Sequence, residues 1–147
     1  MIRHYIYIVV SAVAAFVFAS CELDTSSNGD LDGMWRLAQV DTLATSGVNR
    51  MEGEKKYWMF QYSLLQLEDK VGNAGSVLLR FEHNGNALRL YDPYAYDREE
   101  GDKPLDDPSV MAPYGVNALD ETFTIEALDG SRMVLANDEL RLSFRKL

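Results

Sequence analysis

Few residues in this sequence could do chemistry as a group. It holds one cysteine, Cys21, and two histidines, His4 and His83, against 23 Asp and Glu and 14 Lys and Arg, a net charge of −9. One cysteine allows no intramolecular disulfide, and one histidine beyond the first twenty residues leaves no ligand set for a zinc site of the usual kind. The serines, Ser46 before Gly47 among them, stand in no Gly-x-Ser-x-Gly turn and have no partner histidine. Paired carboxylates could cleave a glycosidic bond, but the acidic residues fall on one loop and on strand faces that read as solvated. Asp97-x-Glu99-x-Gly101 lacks the alternating carboxylates and the distal Glu of a calcium loop. His83 adjoins Asn84-Gly85 and reads as an exposed turn residue. Nucleic acid needs clustered Lys and Arg, and none appears. The expectation is a non-enzymatic protein with no cofactor and no metal.

Cys21 is the exception. Arg3 and His4 give a short basic start, and Ile6 to Phe18 is an apolar run of 13 residues, short of the roughly 20 needed to span a bilayer, so it reads as a signal-peptide core. Phe18-Ala19-Ser20-Cys21 follows and resembles a bacterial lipobox, with Phe18 where that pattern favours Leu. Small side chains at Ala19 and Ser20 would let a peptidase reach the bond before Cys21. The resemblance implies that the Cys21 thiol carries acyl chains, each buried methylene contributing about 0.8 kcal/mol to membrane attachment. A plain secretory signal or a buried cysteine is the alternative. The expected organisation is residues 1–20 as a lipoprotein signal peptide, 21–32 as a flexible acidic tether and 33–147 as one domain. The expected place is the outer membrane of the cell envelope, on a side the sequence leaves open.

The domain reads as strands. Trp58, Phe60, Tyr62 and Leu64 alternate with Met59, Gln61 and Ser63 in a run from Lys56 to Leu67, and Val77, Leu79 and Phe81 alternate with Leu78, Arg80 and Glu82. Asn84-Gly85 signals a hairpin into Asn86–Tyr91. Phe123, Ile125 and Ala127 form another inward set, Asp129-Gly130 turns the chain into Met133–Leu135, and Asn137-Asp138 turns it into Leu140, Leu142 and Phe144. With Met34–Leu43 these make seven strands, joined mainly in sequence order. The pattern predicts an all-β, antiparallel up-and-down meander closing into a small barrel of seven or eight strands.

Gly33-Met34-Trp35, opening the first strand, resembles the Gly-x-Trp of lipocalins and other calycins. That resemblance implies that Trp35 packs across the closed end of the barrel beneath an arginine of the last strand, Arg141 or Arg145. The chain as a whole, from Leu31-Asp32-Gly33-Met34-Trp35-Arg36-Leu37 through Pro113-Tyr114-Gly115 to Leu140-Arg141-Leu142-Ser143-Phe144, is similar to a family of lipocalin-like lipoproteins of unknown function from Bacteroides-type bacteria. The resemblance implies binding of a small apolar or amphipathic ligand in the barrel or at its mouth.

Candidate contacts for such a ligand are the inward Trp58, Phe60 and Tyr62 together with Tyr91, Tyr94, Tyr96 and Tyr114. The last four belong to, or open, a stretch without periodicity, Asp92 to Asp120, that holds all four prolines. Stretches longer than about 12–15 residues in a compact domain are functional or disordered in most cases. This one reads either as a lid offering its tyrosines to a ligand or as a plug of packed tyrosines. Large inward residues line a cavity or fill it equally well. The competing expectation is therefore a solid barrel acting through its surface as an accessory protein-interaction module, its protein partner unknown.

Overall fold

The computed structural model describes residues 25–147; the expected signal peptide, Cys21 and the start of the tether lie outside the described residues. Ten strands follow a short 3-10 turn at Gly29–Leu31: β1 Gly33–Thr42, β2 Gly47–Asn49, β3 Lys56–Gln61, β4 Leu64–Asp69, β5 Val77–Asn84, β6 Ala87–Ala95, β7 Lys103–Pro104, β8 Glu121–Leu128, β9 Arg132–Ala136 and β10 Leu140–Lys146. All pairings are antiparallel. Neighbours run β10-β9-β8-β6-β5-β4-β3-β1, and β10 pairs with β1 to close the ring. Eight strands therefore make the barrel, while β2 continues the β1 edge where β3 stops and β7 pairs with the end of β6. Closure leaves no long strand edge unpaired. Among the described residues no helix is long and apolar enough to cross a membrane.

The eighth strand comes from the run expected to be one. Lys56 to Leu67 folds back on itself, with Gln61 opposite Leu64 and Tyr62 in the left-handed region at φ 55°. A two-residue turn makes residues 61 and 64 neighbours on one face, so the inward set changes from Trp58 and Phe60 to Leu65 and Leu67. Tyr62 and Leu64, expected inside, are instead 49% and 45% exposed. A tyrosine in the left-handed region costs about 1–2 kcal/mol, and the turn is held by its surroundings. The Tyr62 N–H donates to Ser26 Oγ at 2.8 Å, and Asn28 Nδ2 donates to the Tyr62 carbonyl at 2.7 Å.

Those two bonds also revise the tether. Asp32 accepts from Asn28 N at 2.9 Å and Nδ2 at 2.7 Å and is bonded to the Ser26 hydroxyl, and Leu31 is fully buried. The described part of the expected flexible segment is thus docked onto the barrel. Its Ser and Asn side chains are turn-forming hydrogen-bond partners as well as solvated spacers.

One end of the barrel is closed by this segment. Trp35 is fully buried and its Nε1 donates to the Leu31 carbonyl at 2.9 Å. The cation over the indole is Lys146, 5.1 Å from the ring centroid, with its ammonium also bonded to the Asp30 carbonyl at 2.9 Å. Arg141 and Arg145 do not occupy that place. Along β10 the inward residues are Leu142 and Phe144, so period-two geometry turns Arg141 and Arg145 outward and Lys146 inward. Arg141 pairs with Glu126 of β8 at 2.7 Å on the outer wall, and Arg145 is exposed.

Candidate functional site

The opposite end is the mouth, where β1 finishes, β3 begins and the 105–120 segment crosses. Beneath it the barrel interior is occupied. Trp58 lies edge-on to Phe144 at 4.9 Å and to Phe123 at 6.1 Å and tilted to Phe60 at 6.2 Å, and Phe60 meets Phe81 edge to face at 5.1 Å. Trp58, Phe60, Phe123 and Phe144 are each at most 2% exposed and belong to one contiguous cluster with the inward leucines.

Above them sits a stopper built from two 3-10 turns, Pro108–Val110 and Ala112–Tyr114. Asp107 caps the first by accepting from Ser109 N at 2.9 Å. Met111, Tyr114 and Val116 are fully buried. Tyr114 is bonded at both ends: its hydroxyl donates to the Gly75 carbonyl at 2.8 Å, and its own carbonyl accepts from Trp58 Nε1 at 3.1 Å. Burial, and then the charges of Asp69 and Glu68, push the Tyr114 phenol well above its ordinary pKa. Gly115 lets the stopper sit down. Its φ is +89°, and a Cβ there would stand 2.7 Å from Leu142 Cδ2. Of the candidate tyrosines Tyr114 is therefore a plug. The others lie outside. Tyr91 stacks under Arg89 at 4.5 Å, Tyr96 under Arg98 at 5.5 Å, and Tyr94 is 38% exposed.

Beside the stopper a cleft of about 380 Å³ remains. Val40, Met51, Leu140, Ala112 and Pro113 give it apolar walls, and Asn49 and Asn117 line it with amides. Its charged groups are Glu54 and Lys56. The Lys56 side chain is only 8% exposed; its ammonium pairs with Glu54, itself 40% exposed, and lies 3.7 Å from the fully enclosed Asp69 carboxylate. Burial pushes the Asp69 pKa up, but the Val71 N–H, the Lys56 ammonium and the Ala74 and Asn73 N–H groups outweigh it and hold this carboxyl below the usual range. On the stopper's far side Glu121 accepts from Asn117 N and Asn137 Nδ2, each at 2.8 Å. Burial dominates there and raises its pKa, with the Glu139 charge adding to it.

Lys56 was legible and overlooked. It stands two residues before Trp58 and four before Phe60, so the alternation that points those rings inward points Lys56 inward too. An inward lysine at a strand end is a buried cation in need of partners. Asp69, its cross-strand partner at the far end of the β3–β4 hairpin, could not be found without the turn at Tyr62–Ser63.

A second cleft, about 320 Å³, opens on the wall where β6 and β8 separate, lined by Tyr91, Tyr94, Pro93, Leu105, Leu119 and the Arg89–Asp120 pair. That pair is bidentate, at 2.6 and 3.0 Å. Asp97 caps its own loop by accepting from Glu99 N and Glu100 N, and His83 bonds the Gly85 carbonyl at 2.9 Å. Among the described residues no three His, Cys, Asp or Glu gather to hold a metal ion.

Known proteins supply a family and two similar structures. Residues 16–147 match the family described as a lipocalin-like domain. A lipocalin-like protein from Bacteroides uniformis is similar in structure at TM-score 0.61, with 20% identity, over 81% of this chain and 100% of that one. An uncharacterized protein from Bacteroides eggerthii is similar at TM-score 0.55, with 14% identity, over 80% of this chain and 99% of that one. No curated protein matches.

Proposed function

The chain belongs to the lipocalin-like domain family, and from that premise we propose a non-enzymatic binding module, held at the outer membrane through lipidated Cys21, that takes a small amphipathic ligand at its mouth. The observation that carries this reading is the mouth cleft, where a nearly enclosed ammonium, Lys56, adjoins apolar walls. Such a cleft suits a short apolar chain ending in an anionic head, which would displace the half-exposed Glu54 from Lys56. The interior is not the expected place, because Trp58, Phe60, Phe123 and Phe144 fill it and Tyr114 stoppers it.

Decanoate, decylamine and decanol, titrated against protein with methyl-labelled methionine, test the cleft by NMR. Decanoate is expected to shift the Met51 methyl, and Lys56→Met to abolish that shift. Equal shifts from all three probes, or a decanoate response that survives Lys56→Met, would overturn the assignment. The filled interior also favours a second reading, an accessory module that meets a protein partner through its surface; it gains if no probe reaches Met51. For the anchor, palmitate label should enter the wild-type protein, and Cys21→Ala should release it from membranes.

A further inference from the structure

The outer wall of this barrel is not uniformly polar. Following the ladders outward from β1, Met34 lies opposite Met59, Met59 opposite Gln66, Gln66 opposite Leu78, Leu78 opposite Tyr94 and Tyr94 opposite Pro104. One cross-strand row therefore carries five apolar residues and a single amide over six strands, about 24 Å at the usual strand spacing. Leu64, 45% exposed, joins Leu78 and Tyr94 around a groove of about 280 Å³ rimmed by Arg80, Asp92 and Asp102. The facing wall is different, with Thr122, Thr124 and Glu126 on β8 and Arg141 and Arg145 on β10. An apolar stripe confined to one side marks a contact surface.

We infer that this stripe rests on the polar–apolar boundary of an electrically neutral bilayer, as a second membrane contact beside the lipid anchor; this rests on the reading that Cys21 is acylated. The chain path supplies the occupant. Ser26 and Asn28 are bonded to the backbone of Tyr62, in the turn just before Leu64, so the stripe's near edge is tied to the anchor's own strand of chain. Five residue steps separate Cys21 from Ser26, at most about 18 Å even fully extended. An anchored Cys21 thus holds Tyr62 and Leu64 within reach of the headgroups, where aromatic and aliphatic side chains settle. The net charge of −9 selects against an anionic surface.

The test uses the mature, full-length protein in phosphatidylcholine vesicles, with a fluorophore on Leu64→Cys, Gln66→Cys or Thr124→Cys. Gln66 is the safe probe, since its replacement removes no core contact, and a lipidated Cys21 leaves the new thiol as the labelling site. A lipid-borne quencher should act about fivefold more strongly at positions 64 and 66 than at 124. Equal quenching at all three, on protein that floats with the vesicles, overturns the contact and leaves the anchor intact. Protein that does not float, and labels at Cys21, overturns the anchor and the contact with it. Shielding at 64 and 66 from water without lipid quenching, lost on dilution, assigns the stripe to a second copy of the chain and overturns the bilayer.

Discussion

The two ends of the barrel solve one problem in different ways. At the closed end an indole, a leucine and a lysine stem cover the opening, and the cation there sits over a ring at the edge of solvent. At the mouth the cover is a stretch of 3-10 turns, and beside it an ammonium and a carboxylate are enclosed together. The closed end is stabilised mainly by burying apolar area, its Trp35 indole N–H and Lys146 ammonium being paired with backbone carbonyls of the adjoining segment. The mouth instead contains polar groups that are costly unless each stays paired, and such places double as recognition sites.

Substitutions can break that contrast, and the largest effect belongs to the closed end. Trp35→Ala should destabilise by about 4 kcal/mol in urea unfolding, from lost burial and the cavity left behind, while leaving the Met51 methyl responsive to decanoate. Asp69→Asn should cost about 3 kcal/mol, because Lys56 loses a buried countercharge and keeps only Glu54; a loss below 1 kcal/mol would mean the enclosed pair is not a structural element of the mouth. Gly115→Ala should cost about 2 kcal/mol, through the left-handed backbone and the encounter with Leu142, and unlike Trp35→Ala it should disturb probe binding at the cleft.

Acid sharpens the comparison with a smaller effect. The Asp69 pKa is lowered in the fold, so its contribution is present above the unfolded value of 3.8 and is lost as pH falls through the folded one. Glu121 has the opposite sign. Its folded pKa lies above 4.5, so its protonated form favours folding and stability declines as pH rises from 4.5 through the folded value. Unfolding followed against pH should therefore show a shallower low-pH fall in Asp69→Asn, the rest of it belonging to other lowered carboxyls such as Asp32, and should lose its decline just above pH 4.5 in Glu121→Gln. The closed-end variant Lys146→Met should leave the Glu121 limb unchanged, soften the low-pH fall through Asp32, whose carboxyl the Lys146 charge helps to hold low, and cost about 1 kcal/mol through the lost cation–ring contact.

How much of this was readable beforehand depended on range. Burial alternates over Val77–Glu82, Glu121–Ala127 and Arg141–Lys146, and the meander follows from local turns such as Asp129-Gly130. Trp35 was legible through the resemblance of Gly33-Met34-Trp35 to a Gly-x-Trp, and the Leu31 carbonyl it bonds lies only four residues away. The lysine above it was readable from parity along β10, where Arg141 and Arg145 share the wrong face. The turn at Tyr62–Ser63 was not. Ser63 alone is a weak turn signal and Tyr62 is no usual turn former; what holds Tyr62 in its left-handed conformation is Ser26 and Asn28, far upstream. The mouth was the least legible part. Its stopper has no period to detect, and which tyrosine plugs the barrel is decided by Gly75 and Trp58, partners far away along the chain.

Pairing of the first strand with the last gives the chain a schedule. Trp35 waits for Lys146, and Leu37 for Phe144, so the ring cannot close until β10 has formed. Contacts of such long sequence separation slow folding. Until β10 is in place, the edge of β1 that it will cover stays open to pairing with another chain, a hazard that closure removes.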